Sequence, residues 1–217
     1  MLDIIQPAHK FSAYDMLFGD LPLSYWGSVG GNEIPWNLFK AVHKSIETED
    51  KETAIDMLHE IINMPGLESR QYLQAWHFLN GLEEPAEADT KIFGVVLEIN
   101  MPQGNDVLAV YADYSARYFN YSGKSIIWEH ADNSMDDLID GIFEQSKNVV
   151  SKIGPWKDAR LDPPTRQMAR INFLTSKGLH FGEAGQQVLF NDAMAGKLMH
   201  EMLNLMKALI DKSIPAN

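Results

Sequence analysis

The 217 residues contain no cysteine. That removes disulfide frameworks, thiolate nucleophiles and cysteine-ligated zinc at a stroke. Basic residues are also scarce, 18 against 30 acidic ones, for a net charge of −12. A nucleic-acid surface must neutralise phosphates with Lys and Arg, so this balance argues against nucleic acid as a partner. Long hydrophobic runs are missing too. No stretch approaches the roughly 18 apolar residues that span a bilayer, so no membrane partner is expected. The opening MLDIIQPAHK carries Asp3 and Pro7 but neither a basic segment nor a long apolar core, and reads as no signal peptide. The expected setting is cytoplasmic.

Motifs that would name a reaction fail on spacing. Ser122-Gly123-Lys124-Ser125 resembles the end of a phosphate loop, but the glycine required five residues before Gly123 is Tyr118, and strands are expected on both sides. In the acidic run 132–137, a calcium loop would need glycine at Asp137 and a carboxylate at Phe143. Acids at a helix start account for that run through the helix dipole. The seven histidines form no HxH or HExxH pattern; His59-Glu60 and His200-Glu201 each lack a second histidine. No GxSxG elbow occurs, and the sequon Asn120-Tyr121-Ser122 has no role in a cytoplasmic protein. No catalytic residue, metal site or cofactor is therefore assigned.

What is present is periodicity. The 45% hydrophobic, 22% charged composition is that of an ordinary globular chain. Residues 1–35 mix aromatics (Phe11, Tyr14, Phe18, Tyr25, Trp26) with glycine and proline. This arm should be irregular, lie across the body of the protein and be held there by aromatic burial. Three helices should follow. The first opens at Pro35 and the second is capped by Asp50 and stopped by Pro65-Gly66. The third runs over 69–80. Residues 50–66 resemble the second helix of a tetratricopeptide repeat, but no 34-residue period recurs and no repeat array is expected.

The acidic segment 83–89 separates two regions, 1–88 (aromatic arm plus helices) and 89–217 (sheet region), expected to form one co-packed unit. The second region predicts strands at 92–99, 107–112, 116–121, 125–129, 169–175 and 179–183. It also predicts helices at 134–153, capped by Ser134, and at 192–212. The fold class is thus α+β: a mostly antiparallel meander sheet of five or six strands with two covering helices, preceded by a three-helix region. The methionines of the last helix fall at helical spacing and read as core.

Residues 147–177 are locally basic: Lys147, Lys152, Lys157, Arg160, Arg166, Arg170 and Lys177 stand against Asp158 and Asp162. They form either a solvated connector or an anion- or partner-binding face. Polar residues near strand ends supply the candidate ligand site. Arg117, Asn120 and Lys124 would converge with His180 and Glu183 on one rim if the second hairpin pairs beside the meander.

The strings at 65–79, 111–129 (YADYSARYFNYSGKSIIWE) and 154–183 resemble a widespread family of uncharacterised bacterial proteins. The resemblance covers most of the chain from residue 20 onward. It implies a bacterial, cytoplasmic setting and carries no known activity, so it transfers no catalytic role.

Two functions are carried forward. The first is a non-catalytic adaptor or regulatory protein that contacts a protein partner through the helical hairpin or the last helix. The second is an anionic small-molecule site, sensory or enzymatic, at the rim around Arg117. This second reading requires those side chains to line one concavity and fails if Arg117 is engaged by an internal carboxylate. Sheet edges make a homodimer the default oligomer.

Overall fold

The computed structural model describes residues 11–28, 32–84 and 88–213. The chain divides into two compact units. One runs up to Lys91 and includes Ser176–Gly178; the other comprises Ile92–Thr175 and the residues from Leu179 onward.

The first unit holds α1 (Leu23–Ser28), α2 (Trp36–Glu47), α3 (Lys51–Asn63) and α4 (Ser69–Gly81). Helix α1 is a departure from the irregular arm expected there; its first turn closes when Tyr25 N–H donates to Pro22 C=O. Asp50 caps α3 by accepting from Thr53 N–H at 3.1 Å, as its sequence position predicts. Helix α4 begins with a reciprocal capping box between Glu68 and Gln71. It is buried nearly all round, through Leu73, Gln74, Ala75, Trp76, Phe78 and Leu79.

Aromatic burial does hold residues 11–28. Phe11 meets Tyr25 edge-on, and Trp26 stacks on Trp36 at 4.8 Å and touches Phe39, which meets Phe78. A polar bond assists. Buried Gln74 accepts from Leu21 N–H at 3.2 Å and donates to Leu21 C=O at 2.8 Å, using both ends of its amide. The rest of the arm, 1–10 and 29–31, lies outside the described residues.

The second unit is built on a six-stranded antiparallel sheet in the order β4-β3-β2-β1-β5-β6. Its strands are β1 (Ile92–Met101), β2 (Gly104–Tyr111), β3 (Ser115–Phe119), β4 (Ser125–Glu129), β5 (Met168–Thr175) and β6 (Gly178–Gly185). The fold is therefore α+β with an antiparallel meander. The first two strands reach further toward each other than the predicted 92–99 and 107–112, so only Pro102 and Gln103 separate β1 from β2. Helices α5 (Asp136–Val150) and α7 (Ala195–Ser213) cover one face, with the short α6 (Gln186–Asn191) preceding α7. Side chains alternate along each strand, so Val95, Leu97, Ile99, Leu108, Val110, Ile171 and Phe173 share a core with Ile139, Ile142, Leu198, Met202 and Leu205. Met199, Met202 and Met206 are buried in that core, as their spacing predicts. The opposite face is buried as well, through Val96, Glu98, Ala109, Tyr111, Arg117 and Asn172. Burial on both sides explains why β1 reads as a nearly continuous apolar run.

One cap differs from expectation. Asp132, not Ser134, accepts the first backbone bond before α5, from Ser134 N–H at 2.9 Å. Lys212 at the end of α7 explains the exchange: its Nζ donates to Asp132 at 2.8 Å and to Ser134 Oγ at 2.6 Å, and lies 4.8 Å from the Trp128 ring centre. The Lys212 bond, with those from Ser134, holds the Asp132 carboxyl well below the usual range. Among the described residues, no helix is long and apolar enough to cross a membrane.

Two outcomes test this packing. Gly19 has φ +65°, and a Cβ there would lie 2.6 Å from Leu73 Cβ. Gly19→Ala is expected to lower unfolding free energy by about 1–3 kcal/mol in urea denaturation. Burial and the Asp106 carboxylate, 2.9 Å from its hydroxyl, push Tyr118 up to about 12. A phenol raised on folding stabilises fully below its unfolded value of about 10 and loses that contribution as pH rises through the folded value. Between about pH 10 and 12 the wild type should therefore lose stability more steeply than Tyr118→Phe, read by chemical denaturation across that range.

Candidate functional site

The structure does not bring Arg117, Asn120, Lys124, His180 and Glu183 together. The second hairpin does join the sheet, but beside β1, at the edge opposite β4. Strands β3 and β6 are four strand spacings apart, about 19 Å. His180 and Glu183 also part company, because residues three apart on a strand face opposite sides. His180 is buried, its Nδ1 3.5 Å from Thr175 Oγ1; Glu183 turns to Arg170.

On the meander side each residue holds local structure. Arg117 is 6% exposed; Nη1 donates to the carbonyls of Ala116 (2.9 Å) and Trp128 (3.0 Å), and Nη2 to Glu129 Oε1 at 2.6 Å. Glu129 is itself largely exposed, so the pair sits at the sheet edge rather than in its interior. Asn120 organises its own turn, its Oδ1 accepting from the N–H groups of Ser122 and Lys124 and from Ser122 Oγ. Gly123, with φ +82°, completes a hairpin turn rather than a phosphate loop.

A different polar group does assemble, on the sheet face away from α5 and α7. Glu98 on β1 lies opposite Arg170 on β5, and Val96 opposite Asn172. Glu98 and Asn172 are 0% exposed and Arg170 is 3% exposed. Every nitrogen of the Arg170 guanidinium is engaged. Nε donates to Glu183 Oε2 at 2.7 Å, and Nη1 to Glu98 Oε2 at 3.5 Å and Leu161 C=O at 3.3 Å. Nη2 donates to Asp162 C=O at 2.9 Å and also approaches Glu183. Asn172 Nδ2 donates to Glu98 Oε2 at 2.7 Å and to Val96 C=O, while its buried Oδ1 has no hydrogen-bond partner.

Two of Arg170's acceptors belong to the irregular connector 151–167, and that connector is the candidate functional element. It is pinned at three places. Trp156 N–H donates to Leu179 C=O at 2.6 Å on the outer side of β6, and the Trp156 ring meets Phe181 edge-on at 5.2 Å. Arg170 holds residues 161–162 and lies over the Phe181 ring. At the far end Gln167 N–H donates to Asn100 Oδ1 at 3.0 Å, where Arg166 and Gln167 adopt left-handed backbones. Seventeen residues without regular structure are thus fixed in place, with Trp156 37% and Leu161 40% exposed. Lys152, Lys157 and Arg166 are exposed on the same segment.

Glu98 and Asn172 were not singled out by sequence, and Arg170 entered only as one of a basic cluster. The signal was there: a lone acid inside Val-Val-Leu-Glu-Ile and an Arg-x-Asn pair inside an apolar strand. Charged groups in a two-sided buried strand must find partners. Among the described residues, no group of three or more His, Cys, Asp or Glu is placed to hold a metal ion. No family model, curated protein or solved structure matches the chain.

The clamp is testable. Arg170→Met leaves buried Glu98 without its cationic partner and should cost about 3–5 kcal/mol. Trypsin cleavage at Lys157, Arg160 and Arg166 should accelerate in the same variant. Arg170→Lys keeps the charge but cannot serve acceptors on β1, β6 and the connector at once, so it should also speed cleavage.

Proposed function

We propose that this protein is a non-catalytic adaptor that docks an acidic protein segment on connector 151–167. The supporting observation is that the connector is immobilised and yet offers a tryptophan and a leucine to solvent. Ordered backbone lowers the entropy cost of binding, and an exposed Trp is a residue type enriched among interface anchors. The connector carries four basic and two acidic residues in a chain of net charge −12. That local reversal of sign would steer an acidic surface toward it and away from the rest of the molecule. The reading rests on this segment rather than on the last helix, whose methionines are core. The bacterial, cytoplasmic setting implied by the sequence resemblance is part of the proposal.

The test is affinity capture from a native extract with the wild type and with a Trp156→Ala/Leu161→Ala double variant. The wild type should retain a discrete acidic partner whose binding weakens as salt rises, and the double variant should lose at least about tenfold in affinity. Equal capture by both proteins would sink the reading.

A further inference from the structure

The other edge of the sheet is treated differently. Asn120 N–H donates to Lys124 C=O, and the β3–β4 register pairs Tyr118 with Ile126, Arg117 with Ile127 and Ala116 with Trp128. In an antiparallel ladder, hydrogen-bonded and non-bonded pairs alternate. Ile126 and Trp128 therefore spend their backbone groups on β3, while Ser125, Ile127 and Glu129 direct N–H and C=O outward. Among the described residues nothing pairs with that row. Ile127 between them is 59% exposed, on the face opposite the one where α7 and Lys212 cover Trp128. Strand β4 is short and carries Glu129 at its end, but it has no proline, bulge or inward lysine. By contrast, the connector lies along β6 and binds Leu179 C=O.

We infer that β4 is a self-association edge whose occupant is a second copy of this chain, paired antiparallel about a two-fold axis at Ile127. The self-complementarity is in the register. Placing Ile127 against its own copy sets Ser125 opposite Glu129 and returns Glu129 to Ser125, so all six outward groups of each strand find partners. Ile126 then neighbours the second copy's Trp128 on the helix-covered face. Charge is compatible as well. Glu129 arrives already neutralised by Arg117 at 2.6 Å, and faces a serine rather than another acid. Lys124 falls opposite His130, which is held by Asp136 at 3.0 Å. The result is one continuous twelve-stranded sheet that leaves both connectors at its outer ends, so this inference stands independently of the adaptor reading.

Sedimentation velocity from micromolar to millimolar protein, at low and high salt, tests the mass. The wild type should shift toward twice the 24.5 kDa monomer mass as concentration rises. It should do so more readily at high salt, because two chains of charge −12 repel until screened. Ile127→Lys, a change at an exposed side chain, should remain monomeric at least tenfold higher in concentration. The cysteine-free background permits a second readout: Ile127→Cys should oxidise to a disulfide-linked dimer, whereas Lys197→Cys on exposed α7 surface should not. A wild type that stays monomeric throughout, or an Ile127→Lys variant that dimerises equally well, overturns the inference. So does a monomer whose Ser125, Ile127 and Glu129 amides gain exchange protection only on addition of native extract, which would assign the edge to a foreign strand.

Discussion

The sheet unit depends on how it accommodates a buried guanidinium. Arg170 sits on β5, next to the central strand, with 3% of its surface exposed. A charge taken out of water at such a position costs several kcal/mol unless its donors are matched. Here the matching spans the fold: Glu98 from β1, Glu183 from β6 and two carbonyls from residues 161–162. The path of the connector follows from that requirement. A long segment without regular structure would ordinarily be mobile. This one is ordered because a planar, five-donor cation needs its carbonyls, and Trp156 and Leu161 are displayed as a consequence.

The two edges of the sheet show two answers to one physical problem. An unpaired strand is a row of unmet donors and acceptors. At β6 the connector covers part of that row and turns it into the support for an exposed tryptophan. At β4 the row remains open and includes an exposed isoleucine. The strand order keeps these surfaces at opposite ends, so contact at one does not occlude the other. The same order separates Arg117 from His180 and Glu183. Each of those side chains finds its partner within a few residues of its own hairpin instead.

Local rules carried the sequence reading a long way. The strands of the meander, the Asp50 cap and the amphipathic α5 and α7 are encoded by spacing over a few residues, and they appear within a few residues of expectation. Helices α1 and α6 escaped because six residues are too few to establish a period. The Ser134 cap was displaced to Asp132 because Lys212, 78 residues away, claims the serine hydroxyl. Arg117 entered the candidate rim as a polar residue near a strand end. Its partner Glu129 comes from the facing strand, a pairing that register sets and composition does not.

The sequence by itself determined the class of fold, the net negative charge and the absence of thiol chemistry. Each follows from composition or from periodicity along the chain. Only the tertiary structure decided which charges are buried together, which edge is covered and which connector is held still. Those outcomes depend on strand order and register, which join residues far apart in the chain, such as Glu98 and Asn172, 74 positions apart. Desolvation acts on that final arrangement, so a charge that reads as one of a basic cluster becomes the clamp of the sheet only once β5 lies against β1.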